Sequence, residues 1–294
     1  MDRLSFLLTR VAQGEAYQHI YTPEALLRQV NQQLQTLYRR LLAPLGLSLE
    51  GRKLVIVPHG PLHAIPFAAL FDGQRHLLDR TQVSLAPSLA VYAFCTQKPT
   101  RPGGPLVAFG VPVEDIPQTL REAQTVADLF PGAQKLVGGE ASLEAFFQNA
   151  PKAQVLHIAT HGAFRPDNPM FSGLRLSDGW LAARDLYGMR LQAALVVLSA
   201  CETGLFGQGS GDEVLGLARG FLYAGAPSLV TSLWPVHDEH TAELMAEFYT
   251  RLRQGTPVAA ALREAQLALK ERHPNPYYWA AFTITGDPQR TIEA

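Results

Sequence analysis

Two short stretches of this sequence end on side chains that can make and break covalent bonds. Leu156-His157-Ile158-Ala159-Thr160-His161-Gly162 is an apolar run that delivers a histidine. Leu195-Val196-Val197-Leu198-Ser199-Ala200-Cys201-Glu202-Thr203-Gly204 is one that delivers a cysteine. A thiol and an imidazole together can carry out nucleophilic acyl transfer. Only a few per cent of a free thiol is ionised at neutral pH, so a nearby proton acceptor decides its reactivity. Gly162 lets a substrate backbone approach closely. Its N–H and that of Cys201 are candidates to hold a developing oxyanion. His161 and Cys201 in this pattern fit a cysteine protease. They also fit another thiol hydrolase or an acyltransferase. Each has a plainer reading too: a strand-end cysteine as a small core residue, a strand-end histidine as a polar cap.

The two residues lie about 40 positions apart, enough for one crossover between parallel strands. Parallel strands set their carboxyl ends side by side, and open α/β sheets bind ligands along that edge. Glu202, Asp212 and Glu213 follow the cysteine closely and are candidates to line a pocket for a substrate side chain. Asp212 is equally suited to cap the helix expected after it. The three glycines between Phe206 and Gly211 suggest a switch segment beside the nucleophile. A second pair, His59 and Cys95, stands in weaker context. His59 ends a strand-like run, but Cys95 sits in a helical segment without a nearby glycine and reads as core. His157 lies within its strand and reads as a packed or hydrogen-bonded residue. No metal site is expected, because His157 and His161 are about 13 Å apart along a strand. His237 and His240 open a helix and read as part of its start.

The positioning elements follow from periodicity. Residues 22–43 carry Leu26, Leu27, Val30, Leu34, Leu37 and Leu41 at helical spacing, with Thr22 as cap and Pro23 at the first turn. Strands are expected at 53–57, 83–86, 106–110, 135–137, 154–160, 195–201, 229–234 and 280–284. Helices are expected at 117–130, 142–149, 212–224, 238–253 and 256–270. Asp178-Gly179 marks a two-residue hairpin turn. Strands alternating with helices imply an α/β fold, a mainly parallel sheet with helices on both faces. The breaker-rich Lys98–Pro105 segment divides the chain into 1–100 and 101–294. Val55-Ile56-Val57-Pro58-His59-Gly60 echoes the His161 strand, so the first part reads as a degenerate copy of the second.

Composition limits the function classes. The 294 residues are 47% hydrophobic and 17% charged, which describes a folded chain with ample core. A net charge of −1 gives no electrostatic case for nucleic acid or an anionic membrane. Two cysteines are too few for a disulfide framework or a structural zinc site, and point to a reducing, cytoplasmic setting. No apolar run reaches the ~18 residues of a membrane span, and no leader for export is expected.

The two reactive stretches, followed by Ser232-Leu233-Trp234-Pro235-Val236 and Tyr277-Tyr278-Trp279-Ala280-Ala281-Phe282, resemble the CHAT domain family. Val55 to His63 and Glu213 to Ala224 add to the resemblance, which runs from about residue 38 to about 288. It is a caspase-like cysteine protease family related to separase, in the caspase–gingipain clan. The resemblance implies a caspase-like α/β/α sandwich, with 101–294 as the catalytic lobe. It implies a His161–Cys201 dyad that cuts peptide bonds without a cofactor, and oxyanion donors at Gly162 and Cys201. It also implies a protein substrate, a gasdermin-like partner in bacterial cell death or phage defence being one such. Members often carry tetratricopeptide arrays before this domain. About 40 residues precede it here, so a sensing module is expected on a regulatory partner chain or on a longer form of this one. A caspase fold kept as a non-catalytic binding scaffold is the alternative.

Overall fold

The structure is a computed structural model. It describes residues 2–13, 22–99, 103–112, 118–163, 165, 167–201, 212–234 and 238–292, with the backbone alone for Asp2, Gln118, Ala200, Cys201, residues 212–215 and Asp238. Helices α1 (Asp2–Ala12) and α2 (Pro23–Leu41) lead into β1 (Lys53–Ile56), α3 (Leu77–Arg80), β2 (Gln82–Leu85) and α4 (Leu89–Gln97). Next come β3 (Leu106–Gly110), α5 (Gln118–Asp128), β4 (Gln134–Val137), α6 (Leu143–Asn149) and β5 (Val155–Ala163). Then follow β6 (Gly173–Arg175), β7 (Trp180–Ala182), α7 (Ala183–Leu186) and β8 (Leu195–Cys201). The described chain closes with α8 (Asp212–Ala224), β9 (Ser228–Ser232), α9 (Asp238–Arg253), α10 (Val258–Arg272), α11 (Pro276–Trp279) and β10 (Phe282–Gly286).

The helix starts follow from local chemistry. Thr22 accepts the Ala25 N–H at 3.2 Å and Pro23 occupies the first turn of α2. Ser142 caps α6 in the same way, through the Ala145 N–H at 3.1 Å. Gly225, at φ 122°, ends α8. A Cβ there would stand 2.9 Å from the Leu191 carbonyl oxygen. The N-terminal stretch forms α1, a helix that its brief apolar run did not announce.

The main sheet runs in the order β1-β2-β10-β9-β8-β5-β3-β4. Strands β9, β8, β5, β3 and β4 are mutually parallel. Strands β1, β2 and β10 are parallel to one another, and β10 meets β9 antiparallel. The sheet therefore has two halves of opposite sense. β10 is not an edge strand. It lies between β2 and β9 and joins the halves, so strands from both sides of the Lys98–Pro105 segment share one sheet.

Successive side chains of the central strands point to opposite faces of the sheet, and both faces are buried. Ala108, Val155, Leu195, Val197 and Val230 pack on one face, with residues of α1, α2, α5, α9 and α10. Val107, Phe109, Leu156, Ile158, Val196 and Leu198 pack on the other, with Phe146 of α6, Leu186 of α7 and Phe221 of α8. The result is the expected three-layered α/β/α sandwich. Among the described residues, no helix is long and apolar enough to cross a membrane.

Candidate active site

β5 and β8 are neighbours, and their ladder runs from Val155↔Leu195 to His161↔Cys201. Neighbouring strands lie about 4.8 Å apart, so the backbone alone sets these two residues side by side at the carboxyl edge of the sheet. The histidine strand does not stop at Thr160, as the sequence reading had it. It continues to Ala163 by changing partners: Gly162 and Ala163 pair antiparallel with Leu174 and Gly173 of β6. His161 is the last residue in register with β8, and the buried Gly162 is the first on the hairpin sheet.

That hairpin forms one wall of the site. The β6–β7 connection is closed by the Leu176 N–H on the Gly179 carbonyl at 2.8 Å, so Ser177 and Asp178 form the tight turn, one residue earlier than Asp178-Gly179. Asp178 is used elsewhere: its Oδ1 accepts the Leu143 N–H at the start of α6. At the base of β7, Trp180 sets its ring edge-on to His161, with centroids 6.3 Å apart and planes at 66°. Across the hairpin, its register partner Arg175 holds its guanidinium 5.8 Å from the same indole. Sequence reasoning assigned neither residue to the site.

A buried polar network lies beneath the reactive ends. Ser199, two residues before Cys201, donates its hydroxyl to Glu122 Oε2 at 3.0 Å. His157, four residues before His161, holds Nε2 3.3 Å from Glu122 Oε1, an approach too oblique for a well-aligned hydrogen bond. Its Nδ1 lies 2.9 Å from the Tyr249 hydroxyl of α9. Burial, and secondarily the Glu122 charge, hold the Tyr249 phenol well above its ordinary range. The phenol is therefore protonated and shares one hydrogen bond with His157 Nδ1. His157 and Tyr249 are fully buried. The expected packing or hydrogen-bonding role for His157 covers both things that it does.

Glu122 reaches this position because α5 presses closely on β3. A Cβ at Gly110 would stand 2.9 Å from the Thr119 carbonyl oxygen, and Thr119 donates its hydroxyl to the Val111 carbonyl at 2.7 Å. The signal was present in sequence: Thr119, Glu122, Ala123 and Val126 share one helical stripe, and a carboxylate on a buried stripe requires partners.

The second histidine and cysteine do not join the first pair. The register places the end of β1, Ile56, level with Leu156 near the start of β5, so His59 leaves its strand at the opposite edge from His161. Cys95 is fully buried, and burial pushes its thiol up to about 11. Glu202, the Phe206–Gly211 segment and His237 lie outside the described residues. Asp212 and Glu213 fall on the first turn of α8, where the backbone alone is described. His240 sits on α9 with its ring 4.2 Å from that of His273. Two of the remaining sequence blocks serve packing. Trp234 donates its indole N–H to the Tyr277 carbonyl at 3.0 Å, and the Leu233 N–H bonds the Ala281 carbonyl at 2.7 Å.

Comparison with known proteins gives the same outline. The CHAT domain family model matches residues 31–287. Mouse tetratricopeptide repeat protein 28 is 28% identical over a region covering 86% of this chain, which spans only 13% of that relative's length. Among solved structures, Saccharomyces cerevisiae separase, in its complex with securin, superposes with a TM-score of 0.57 at 16% identity, covering 79% of this chain and 15% of separase. The Arg-specific cysteine proteinase gingipain R of Porphyromonas gingivalis does so with a TM-score of 0.51 at 12% identity, covering 98% of this chain and 74% of that one. At these identities the two likenesses speak to the fold.

Proposed function

The chain belongs to the CHAT domain family, and from that premise we propose that it is a cysteine endopeptidase acting through Cys201 and His161. One observation carries the reading: His161 and Cys201 are register partners at the open edge of the sheet. In this mechanism the Cys201 thiol gives up its proton to His161 and its sulfur attacks the scissile carbonyl carbon. The backbone N–H groups of Gly162 and Cys201 hold the oxyanion of the tetrahedral intermediate. His161 then protonates the departing amine as the C–N bond breaks, leaving a thioester on Cys201. Water, deprotonated by His161, attacks the thioester. The acid product leaves and the thiol is restored. No cofactor enters the balance.

Within the sheet, residues 101–294 supply both reactive ends, and residues 1–100 form the supporting lobe in this reading. Glu202, Asp212 and Glu213 are proposed to line the approach of a substrate side chain. The substrate is a protein. The candidate taken from the family resemblance is a gasdermin-like partner in a bacterial cell-death or defence pathway, with a regulatory chain controlling access in the cytoplasm. Separase, solved with its partner securin, is a fold relative held in a protein complex.

The test is to compare new protein N-termini in a cell lysate treated with the wild type and with Cys201→Ala. New termini confined to the wild type support the endopeptidase and identify its target. Equal cleavage by Cys201→Ala removes it.

A further inference from the structure

The hairpin beside His161 carries a cation without a counter-ion among the described residues. Three arginines lie on or next to it. Arg165 is paired with Asp167 at 2.8 Å, and Arg184 approaches Asp185 at 3.7 Å. Arg175 has no carboxylate within ion-pair distance among the described residues, although it is only partly exposed. The acids nearest in sequence are committed elsewhere: Asp178 to the Leu143 N–H, and Asp185 to the Ala182 N–H at 2.9 Å. The Arg175 side chain instead extends over Trp180, which also meets the His161 ring. A guanidinium held against an aromatic face keeps its hydrogen-bond fork free for a planar anion.

We propose that Arg175, on the Trp180 platform, binds a carboxylate side chain of the substrate on the leaving-group side of the cut. The inference rests on the endopeptidase reading above and deepens it. The side of the cut follows from the chemistry. The imidazole that protonates the departing amine stands next to the leaving half of the substrate, and Trp180 packs on that imidazole. The distance follows from the two contacts. In series they place the guanidinium no more than about 12 Å from the His161 ring, roughly three residues of extended chain. The recognised Asp or Glu therefore falls within the first three positions after the scissile bond.

The experiment uses the full chain and a proteome-derived peptide library, with cut sites read by mass spectrometry for wild type, Arg175→Gln and Arg175→Glu. Wild-type sites are expected to be enriched in Asp and Glu within the first three positions after the cut. Arg175→Gln should lower the ratio of kcat/KM for acidic over neutral peptides about tenfold or more. Arg175→Glu should move the enrichment toward Lys and Arg. Raised salt should weaken the wild-type preference. Wild-type cutting with no acidic preference at these positions overturns the inference and leaves the endopeptidase standing. A preference that survives Arg175→Glu also overturns it. No cutting at all by the wild type removes the endopeptidase reading, and this inference with it. The wild-type profile decides the matter even if a variant fails to fold.

Discussion

His161 and Cys201 are register partners on adjacent parallel strands, the last pair in the β5–β8 ladder. Backbone hydrogen bonding sets this relationship, and the side chains beneath it guard it. Val155, Val197 and Leu195 are fully or almost fully buried in the core, so a slip of one residue would turn every such side chain to the wrong face. The site thus inherits its geometry from the most protected part of the fold.

Glu122 ties the two strands together from below. Glu122→Ala would leave the Ser199 hydroxyl buried without its acceptor and remove the carboxylate that faces the His157 ring. We expect a loss of about 2–4 kcal/mol in unfolding free energy, read by urea denaturation. Glu122→Gln keeps one acceptor oxygen and should cost roughly half as much. Equal stability of Glu122→Ala and wild type would show that the network contributes nothing.

His76 should make stability fall on the acid side of neutrality. Its ring is buried between Phe71 and Trp279, and Nδ1 donates to the Ala69 carbonyl at 2.8 Å. Burial chiefly lowers it from 6.5 to about 4. Above pH 6.5 it is neutral in both folded and unfolded chains and has no effect on the balance. Between pH 6.5 and 4 only the unfolded chain takes up the proton, so stability drops as pH falls, by about 3 kcal/mol across the window. His76→Asn can keep a donor for Ala69 but does not titrate. Urea denaturation at pH 7, 5.5 and 4 should give the variant a shallower pH dependence, and parallel curves would refute this.

Trp180 should matter to turnover more than to folding. Its side chain is 43% exposed, yet it sets the edge of the His161 ring. Trp180→Ala is expected to lower kcat/KM on a cleaved peptide about tenfold, because small displacements of a proton carrier are costly. The melting temperature should move by no more than about two degrees, as for other exposed positions. Unchanged kcat/KM would remove Trp180 from the site.

Much of this was legible in one dimension. Apolar runs ending at His161 and Cys201 gave both strands, and parallel pairing brought their ends together. Thr22, Ser142 and Gly225 marked helix ends through their own chemistry. What stayed hidden depends on pairings between distant segments. The sense of β10 against β9 is not encoded locally, and it alone sends β1 and His59 to the far edge. β5 runs on past Thr160 because β6 takes over from β8 as partner, and that exchange has no local signal. Trp180 and Arg175 looked like ordinary hairpin residues until the register put one against His161. Asp178-Gly179 suggested a tight turn, and one forms, but a residue earlier at Ser177-Asp178, with Asp178 bonding the start of α6.

The measurement that bears most directly on the central claim is the alkylation rate of each cysteine by iodoacetamide at pH 7, in wild type and in His161→Ala. With its thiol pushed up to about 11, only about 10⁻⁴ of Cys95 is thiolate at that pH, and the fold shields it. The expected result is modification of Cys201 at least about a hundredfold faster than of Cys95, with the Cys201 rate falling about tenfold or more in His161→Ala. Comparable rates at the two cysteines, or a Cys201 rate indifferent to His161, would contradict a dyad at the β5–β8 edge.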